Sequence, residues 1–199
     1  MIGFKKIILI ISLFPTGNFW AQNIDLNILK GINPQNPDSR IWRATSGSVD
    51  WIAGAISLGS LGYGYISRDK KMQRNGYELL LVAGINTGVS ELLKITVNRT
   101  RPGIQYPNVV FPSSPSNDKS FPSGHTSMAF AVATTLTLQY KKWYVAVPAY
   151  LWAGSVGYSR MYLGKHYPSD VLAGAIVGAG SSWLSHILIT KLFKQKKTS

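Results

Sequence analysis

The chain has 199 residues, enough for one domain or one compact membrane bundle, and 21 Lys and Arg against 8 Asp and Glu give it a net charge of +13. That excess suits an anionic partner, yet the charged fraction is only 15%, too low for a basic nucleic-acid arm, and the apolar fraction is 45%, too high for a disordered chain. Cysteine is absent, which excludes disulfide scaffolds, zinc-finger sites and thiol nucleophiles, and three histidines (125, 166 and 186) argue against a multi-histidine metal centre. At the amino terminus Lys5 and Lys6 precede an apolar run from Ile7 to Phe14, a break at 15–18, and the small residue Ala21. This predicts a signal peptide over 1–21, or an uncleaved anchor, since Phe19 stands where a small residue is preferred before a cleavage point. Residues 22–49 are polar, with Asn, Pro and Asp scattered through "GINPQNPDSR", and read as a loop-like segment with little structure of its own.

Apolar stretches follow at 50–66, 77–97, 126–140, 143–158 and 171–190, without β-alternation, and predict an all-α bundle of about five membrane-embedded helices. Gly174 and Gly178 have the spacing that lets two helices approach closely. If the five segments alternate from an external amino terminus, one side receives Arg68, Lys70, Lys71, Arg74, Lys141, Lys142, Lys191, Lys194, Lys196 and Lys197. The other receives Lys30, Arg40, Arg43, Lys94, Arg99, Arg101, Lys119, Arg160 and Lys165. The first set is packed into very short connections, the bias expected of cytoplasmic ends, and the tail over 191–199 suits an anionic inner leaflet. Trp51, Trp143, Trp152 and Trp183 are candidate interfacial anchors or packing residues.

Three motifs carry chemistry. The first runs from Lys94 to Arg101-Pro102; seven residues is about two helical turns, so both cations are expected on one helix face, with Pro102 ending the helix. The second is Phe121-Pro122-Ser123-Gly124-His125, a helix start whose free N–H groups and glycine suit an anion. The third runs from Ser159-Arg160 to His166 and Asp170. Arg160 offers a planar fork to phosphate oxygens, and a carboxylate on one imidazole nitrogen would leave the other nucleophilic. Pro168-Ser169-Asp170 also reads as a helix start, and the two roles of Asp170 are compatible. Glu91 lies one turn before Lys94, as an ordinary ion pair or an orienting one, and His186 is expected to be packed or hydrogen-bonded within the last helix. With alternating helices all three motifs fall on the outer side.

In these motifs, Lys-x6-Arg-Pro, Pro-Ser-Gly-His and Ser-Arg-x5-His-x3-Asp, the chain resembles the type 2 phosphatidic acid phosphatases (PAP2) and their superfamily, which includes bacterial non-specific acid phosphatases and vanadium haloperoxidases. The resemblance covers about residues 50–190, implying a PAP2-type helical domain there. It implies His166 as the nucleophile that forms a phosphohistidine, Asp170 as its orienting partner and His125 as the acid for the leaving oxygen. Lys94, Arg101, Ser123, Gly124 and Arg160 would hold the phosphoryl oxygens, with no metal and no cofactor, because fixed cations supply the charge that Mg²⁺ supplies elsewhere. The expected activity is a metal-independent lipid phosphatase of a bacterial inner membrane, with its site facing the periplasm and a phosphorylated lipid as partner. The alternatives are a soluble periplasmic non-specific acid phosphatase and a vanadate-dependent haloperoxidase. A non-enzymatic phospholipid binder has no use for the His166–Asp170 pair. Neither the lipid nor the oligomeric state is readable from the sequence.

Overall fold

The protein is described from a computed structural model covering residues 18–115 and 119–195. The basic and apolar parts of the expected leader, at 5–14, and the last residues of the basic tail lie outside the described residues. Seven helices and no strand occur among the described residues: α1 Asn18–Ile32, α2 Arg40–Ile66, α3 Lys70–Val97, the single turn α4 Pro102–Gln105, α5 Gly124–Tyr140, α6 Trp143–Tyr162 and α7 Pro168–Gln195. The five apolar stretches are therefore helices α2, α3, α5, α6 and α7, each beginning at or before its expected start.

Two sequence readings are corrected. Residues 22–48 are not a loop, because α1 and the first turns of α2 occupy most of them. Ser39 starts α2 ten residues early by accepting a hydrogen bond from the Trp42 N–H, satisfying one of the free donors of the first turn. α1 forms because Leu29 is fully buried with Val110 and Tyr167, a burial that stabilises by about 1.5–3 kcal/mol. The second correction concerns Lys94 and Arg101, which do not share a helix. α3 stops at Val97, where Asn98 turns left-handed at φ 52, a conformation asparagine tolerates better than most residues. Arg101 then takes the extended conformation that a following proline enforces and caps α4.

The long helices run antiparallel through short connections, Ser67–Asp69 between α2 and α3 and Lys141–Lys142 between α5 and α6. α5 and α7 are parallel and in close contact. A Cβ on Gly174 would meet the Ser123 carbonyl oxygen at 2.7 Å, and one on Gly178 would meet that of Ser127 at 2.1 Å, so the expected small-residue seam is present. An apolar core of Val49, Ala129, Ala133, Ala153 and Val156 joins α2, α5 and α6.

The distribution of polarity is the reverse of a water-soluble bundle. Buried positions include Ser57, Ser60, Asn75, Glu78, Asn86, Ser127, Thr135 and Ser182, whereas Leu58, Ile66, Leu92, Ile95, Leu151, Leu172, Ile176 and Leu192 face outward. Helices in hydrocarbon gain nothing from hiding leucine and gain from pairing hydroxyls and amides with one another. Ser127 with Asn86, and Thr135 with Ser182, are such pairs. Two stretches, Lys70–Gln105 and Pro168–Phe193, are long and apolar enough to cross a bilayer. The chain is a membrane protein. Trp51, Trp143 and Trp183 are exposed, while Trp152 packs against the core and donates its indole N–H to Ser48.

His186 is hydrogen-bonded as expected: its Nδ1 lies 2.6 Å from Oε1 of the buried Glu78, whose other oxygen accepts from Gln139.

Candidate active site

The three motifs meet at one end of the bundle, opposite the short basic connections. Lys94 comes from the last turn of α3, Arg101 from the cap of α4, Ser123 to His125 from the start of α5, Arg160 from the end of α6, and His166 and Asp170 from the turn into α7. Gly164, at φ 66, lets that turn pass the Phe111 carbonyl, which a Cβ would strike at 2.6 Å. The backbone N–H of Ser123 donates to the Asp170 carbonyl at 3.0 Å, tying the second motif to the third.

His166 is 2% exposed. Its Nδ1 donates to the Ser120 carbonyl oxygen at 2.7 Å, which fixes one tautomer. On the other side of the ring, Nε2 lies 3.3 Å from Nη1 of Arg101, which also donates to the Lys165 carbonyl at 2.7 Å. A guanidinium can only donate, so Nε2 is the unprotonated nitrogen. Burial lowers the His166 pKa to about 4, against the pull of Asp170 and with help from the charges of Arg160 and Arg101. At neutral pH the ring is uncharged, with the Nε2 lone pair turned towards Arg101.

Asp170 is fully buried but does not bond the ring directly: its Oδ2 is 3.7 Å from His166 Nδ1. Oδ2 instead accepts from the Tyr167 N–H at 2.9 Å and from the Ser120 hydroxyl. The carboxylate thus holds the residue whose carbonyl holds the imidazole, and it caps the first turn of α7 at the same time. Its Oδ1 accepts from Arg99 at 2.7 Å. Direct carboxylate–imidazole bonding, the arrangement read from the sequence, is replaced by a relay through Ser120.

The phosphate-binding candidates gather near the start of α5. A Cβ on Gly124 would meet only Lys94 Nζ, at 4.0 Å, so the ammonium faces the backbone at the start of α5. Lys94 is paired with Glu91 at 2.8 Å; the lysine side chain is 19% exposed and the glutamate 57%. Arg160, largely buried, is anchored to the Ser46 hydroxyl at 2.6 Å. Ser123 is fully buried and shares a hydrogen bond with the Thr126 hydroxyl rather than capping its own helix. His125, half-buried, feels the charges of Arg160, Asp50, Arg101 and Lys94. Arg101 and Arg160 therefore act on both imidazoles.

Sequence reasoning missed four contributors. Ser120 directly precedes the second motif and Arg99 sits inside the first, so proximity was a usable signal for both. Asp25 on α1 and Ser46 on α2 carried none, because their partners lie 74 and 114 residues away.

Residues 76–194 match the model of the PAP2 superfamily, and the chain belongs to that family. Among solved structures, that of the first transmembrane PAP2 type phosphatidylglycerolphosphate phosphatase from Bacillus subtilis superposes with a TM-score of 0.70 at 25% identity, over 93% of this chain and 92% of that one. Aquifex aeolicus LpxE gives 0.64 at 28% identity, over 81% and 94%. Among curated relatives, a lipid A 4'-phosphatase of Bacteroides thetaiotaomicron is 40% identical over 72 residues, 36% of this chain and 32% of its own. An undecaprenyl-diphosphatase of Sulfolobus acidocaldarius is 33% identical over 117 residues, 58% of this chain and 56% of its own. The chain thus spans about a third to somewhat over half of the length of these two relatives.

Proposed function

We propose that this protein is a metal-independent phosphatase that hydrolyses phosphate esters or diphosphates of lipids through a phosphohistidine on His166. The observation that carries the reading is the state of that ring: Nδ1–H engaged by Ser120, Nε2 unprotonated beside Arg101, and the whole uncharged at neutral pH. An imidazole placed only for packing has no need of an unprotonated nitrogen turned towards a buried guanidinium.

In the first step His166 Nε2 forms a bond to phosphorus while the bond from phosphorus to the leaving oxygen breaks. That oxygen takes a proton from His125. In the second step water attacks the phosphohistidine, gives its proton to His125, and inorganic phosphate leaves with Nε2 restored. Lys94, Arg101 and Arg160, with the Ser123 hydroxyl and the backbone N–H of Gly124, hold the equatorial oxygens and offset the charge on the transferring group. The same three cations surround His125. A phosphate dianion between them offsets their charge, which favours the protonated ring that the first step requires. Asp170 acts through Ser120 on the orientation of His166.

The relatives support a lipid substrate, since a lipid A 4'-phosphatase, an undecaprenyl-diphosphatase and a phosphatidylglycerolphosphate phosphatase all act on phosphorylated lipids. The apolar outer surface supports it too, because it keeps the site at the level where lipid head-groups lie. The basic connections at the far end favour a cytoplasmic location for that end, and so a periplasmic site in a bacterial inner membrane. The test is a panel of phosphorylated lipids offered to purified protein in detergent with a chelator present. Phosphate release by wild type and none by His166→Ala is expected; release from no lipid, or release that a chelator abolishes, overturns the reading.

A further inference from the structure

α1 lies before the stretch that matches the family, yet it reaches the site. Asp25 is 6% exposed, and both of its oxygens are engaged. Oδ1 accepts from the Ser169 N–H at 3.0 Å, and Oδ2 accepts from Arg99 Nη2 at 2.8 Å and from the Ser169 hydroxyl. Arg99 in turn donates from Nη1 to Ser169 Oγ and to Asp170 Oδ1, each at 2.7 Å, with its guanidinium 3.9 Å above the Tyr167 ring. One guanidinium therefore bridges two largely buried carboxylates. Such ion pairs are poor stabilisers, since desolvation offsets most of the attraction. α1 is also docked without them, by buried Leu29 and by Asn33, which bonds the Phe111 and Tyr162 carbonyls and the Phe111 N–H.

We propose that Asp25 and Arg99 form a positioning clamp for the nucleophile, supplied in part by the N-terminal helix; this rests on the phosphohistidine reading above. The path is continuous. Asp25 fixes Arg99, Arg99 occupies Asp170 Oδ1, Asp170 Oδ2 holds the Ser120 hydroxyl, and the Ser120 carbonyl holds His166 Nδ1–H. Neither clamp residue is among the phosphate-binding candidates, so the clamp acts on attack and not on substrate binding.

The test compares full-length wild type with Asp25→Asn, Asp25→Ala, Arg99→Lys, Arg99→Met and His166→Ala, using a phosphorylated lipid that wild type cleaves. Arg99→Met is expected to lower kcat by up to roughly 100-fold, the cost of a small misplacement of a reacting group. KM and the inhibition constant of inorganic phosphate stay near wild type, because Lys94, Arg101 and Arg160 are untouched. Arg99→Lys and Asp25→Asn lose less, and they carry the test if the harsher variants fail to fold. Imidazole ¹⁵N spectra supply the readout that a merely structural role does not move. The His166 signal, assigned by its loss in His166→Ala, reports one tautomer in wild type and a mixture in Arg99→Met and Asp25→Ala. Wild-type kcat in those two variants, or a lower kcat with an unchanged tautomer signal, overturns the clamp. Turnover that survives in His166→Ala overturns the phosphohistidine reading instead.

Discussion

Replacing Gly178 by alanine adds one methyl group where α7 crosses α5. That Cβ would lie 2.1 Å from the Ser127 carbonyl oxygen and 2.8 Å from the Ala131 nitrogen, both backbone atoms of α5. Ordinary contact begins near 3.4 Å, so the two helices must part by about 1.3 Å. No rotamer change relieves the clash, because backbone cannot swing aside. Overpacking of this kind costs roughly 1–3 kcal/mol. The displacement also moves the start of α5, which carries Ser123, Gly124 and His125, away from the turn that carries His166 and Asp170. A shift near 1 Å at a reacting centre costs about 100-fold in rate. Gly180, two residues on, has no atom within 4 Å of a built Cβ, so Gly180→Ala is the control. Thermal unfolding in detergent and phosphate release are measured on both. Gly178→Ala is expected to unfold at lower temperature and to lose activity in its folded form, while Gly180→Ala keeps both. Equal behaviour of the two variants would refute the seam.

Arg101→Lys keeps the charge but loses the fork that joins the Lys165 carbonyl to His166 Nε2, and kcat/KM is expected to fall by about 10- to 100-fold, the equivalent of 1.5–3 kcal/mol for a charged hydrogen bond. His186→Ala leaves the buried Glu78 without its imidazole partner and is expected to cost about 1–3 kcal/mol of stability. Its kcat should stay at the wild-type value, because Glu78 is 16 residues, about 24 Å, down α3 from Lys94; a loss of kcat in the folded variant would contradict this. The His166 pKa is lowered in the folded protein to about 4, against 6.5 for an unperturbed ring, so the unfolded chain binds the extra proton between those values. Stability is therefore retained above pH 6.5 and falls as pH drops towards 4, by up to about 3 kcal/mol. Denaturant titrations of wild type and His166→Gln should show wild type losing stability relative to the variant as pH falls through that window; parallel curves would contradict it.

The chemistry was legible in the sequence because it is concentrated in three short runs whose residue types suit an anion and a nucleophile. Helix starts at Ser123 and Pro168 were legible for the same local reason. What escaped were features fixed by distant contacts. The helical state of α1 depends on Leu29 meeting Val110 and Tyr167, and nothing in its own Asn-rich sequence announces that. The left-handed turn at Asn98 broke the expected helix between Lys94 and Arg101, which kept the cations but changed how they are presented. The His166–Asp170 pair was read at the right spacing, while the Ser120 backbone between them was invisible because it arrives from 46 residues away. The polar interior, with Glu78, Asn86 and Ser127 hidden and leucines outside, also becomes plain only once the helices are packed.

The most direct measurement is rapid quenching of wild type during turnover of a lipid carrying a ³²P-labelled phosphate, followed by mapping of protein-bound label. An acid-labile, base-stable phosphoimidazole on His166, absent in His166→Ala, is expected. Turnover without any label on protein, or label that persists when His166 is alanine, would contradict a phosphohistidine at this position.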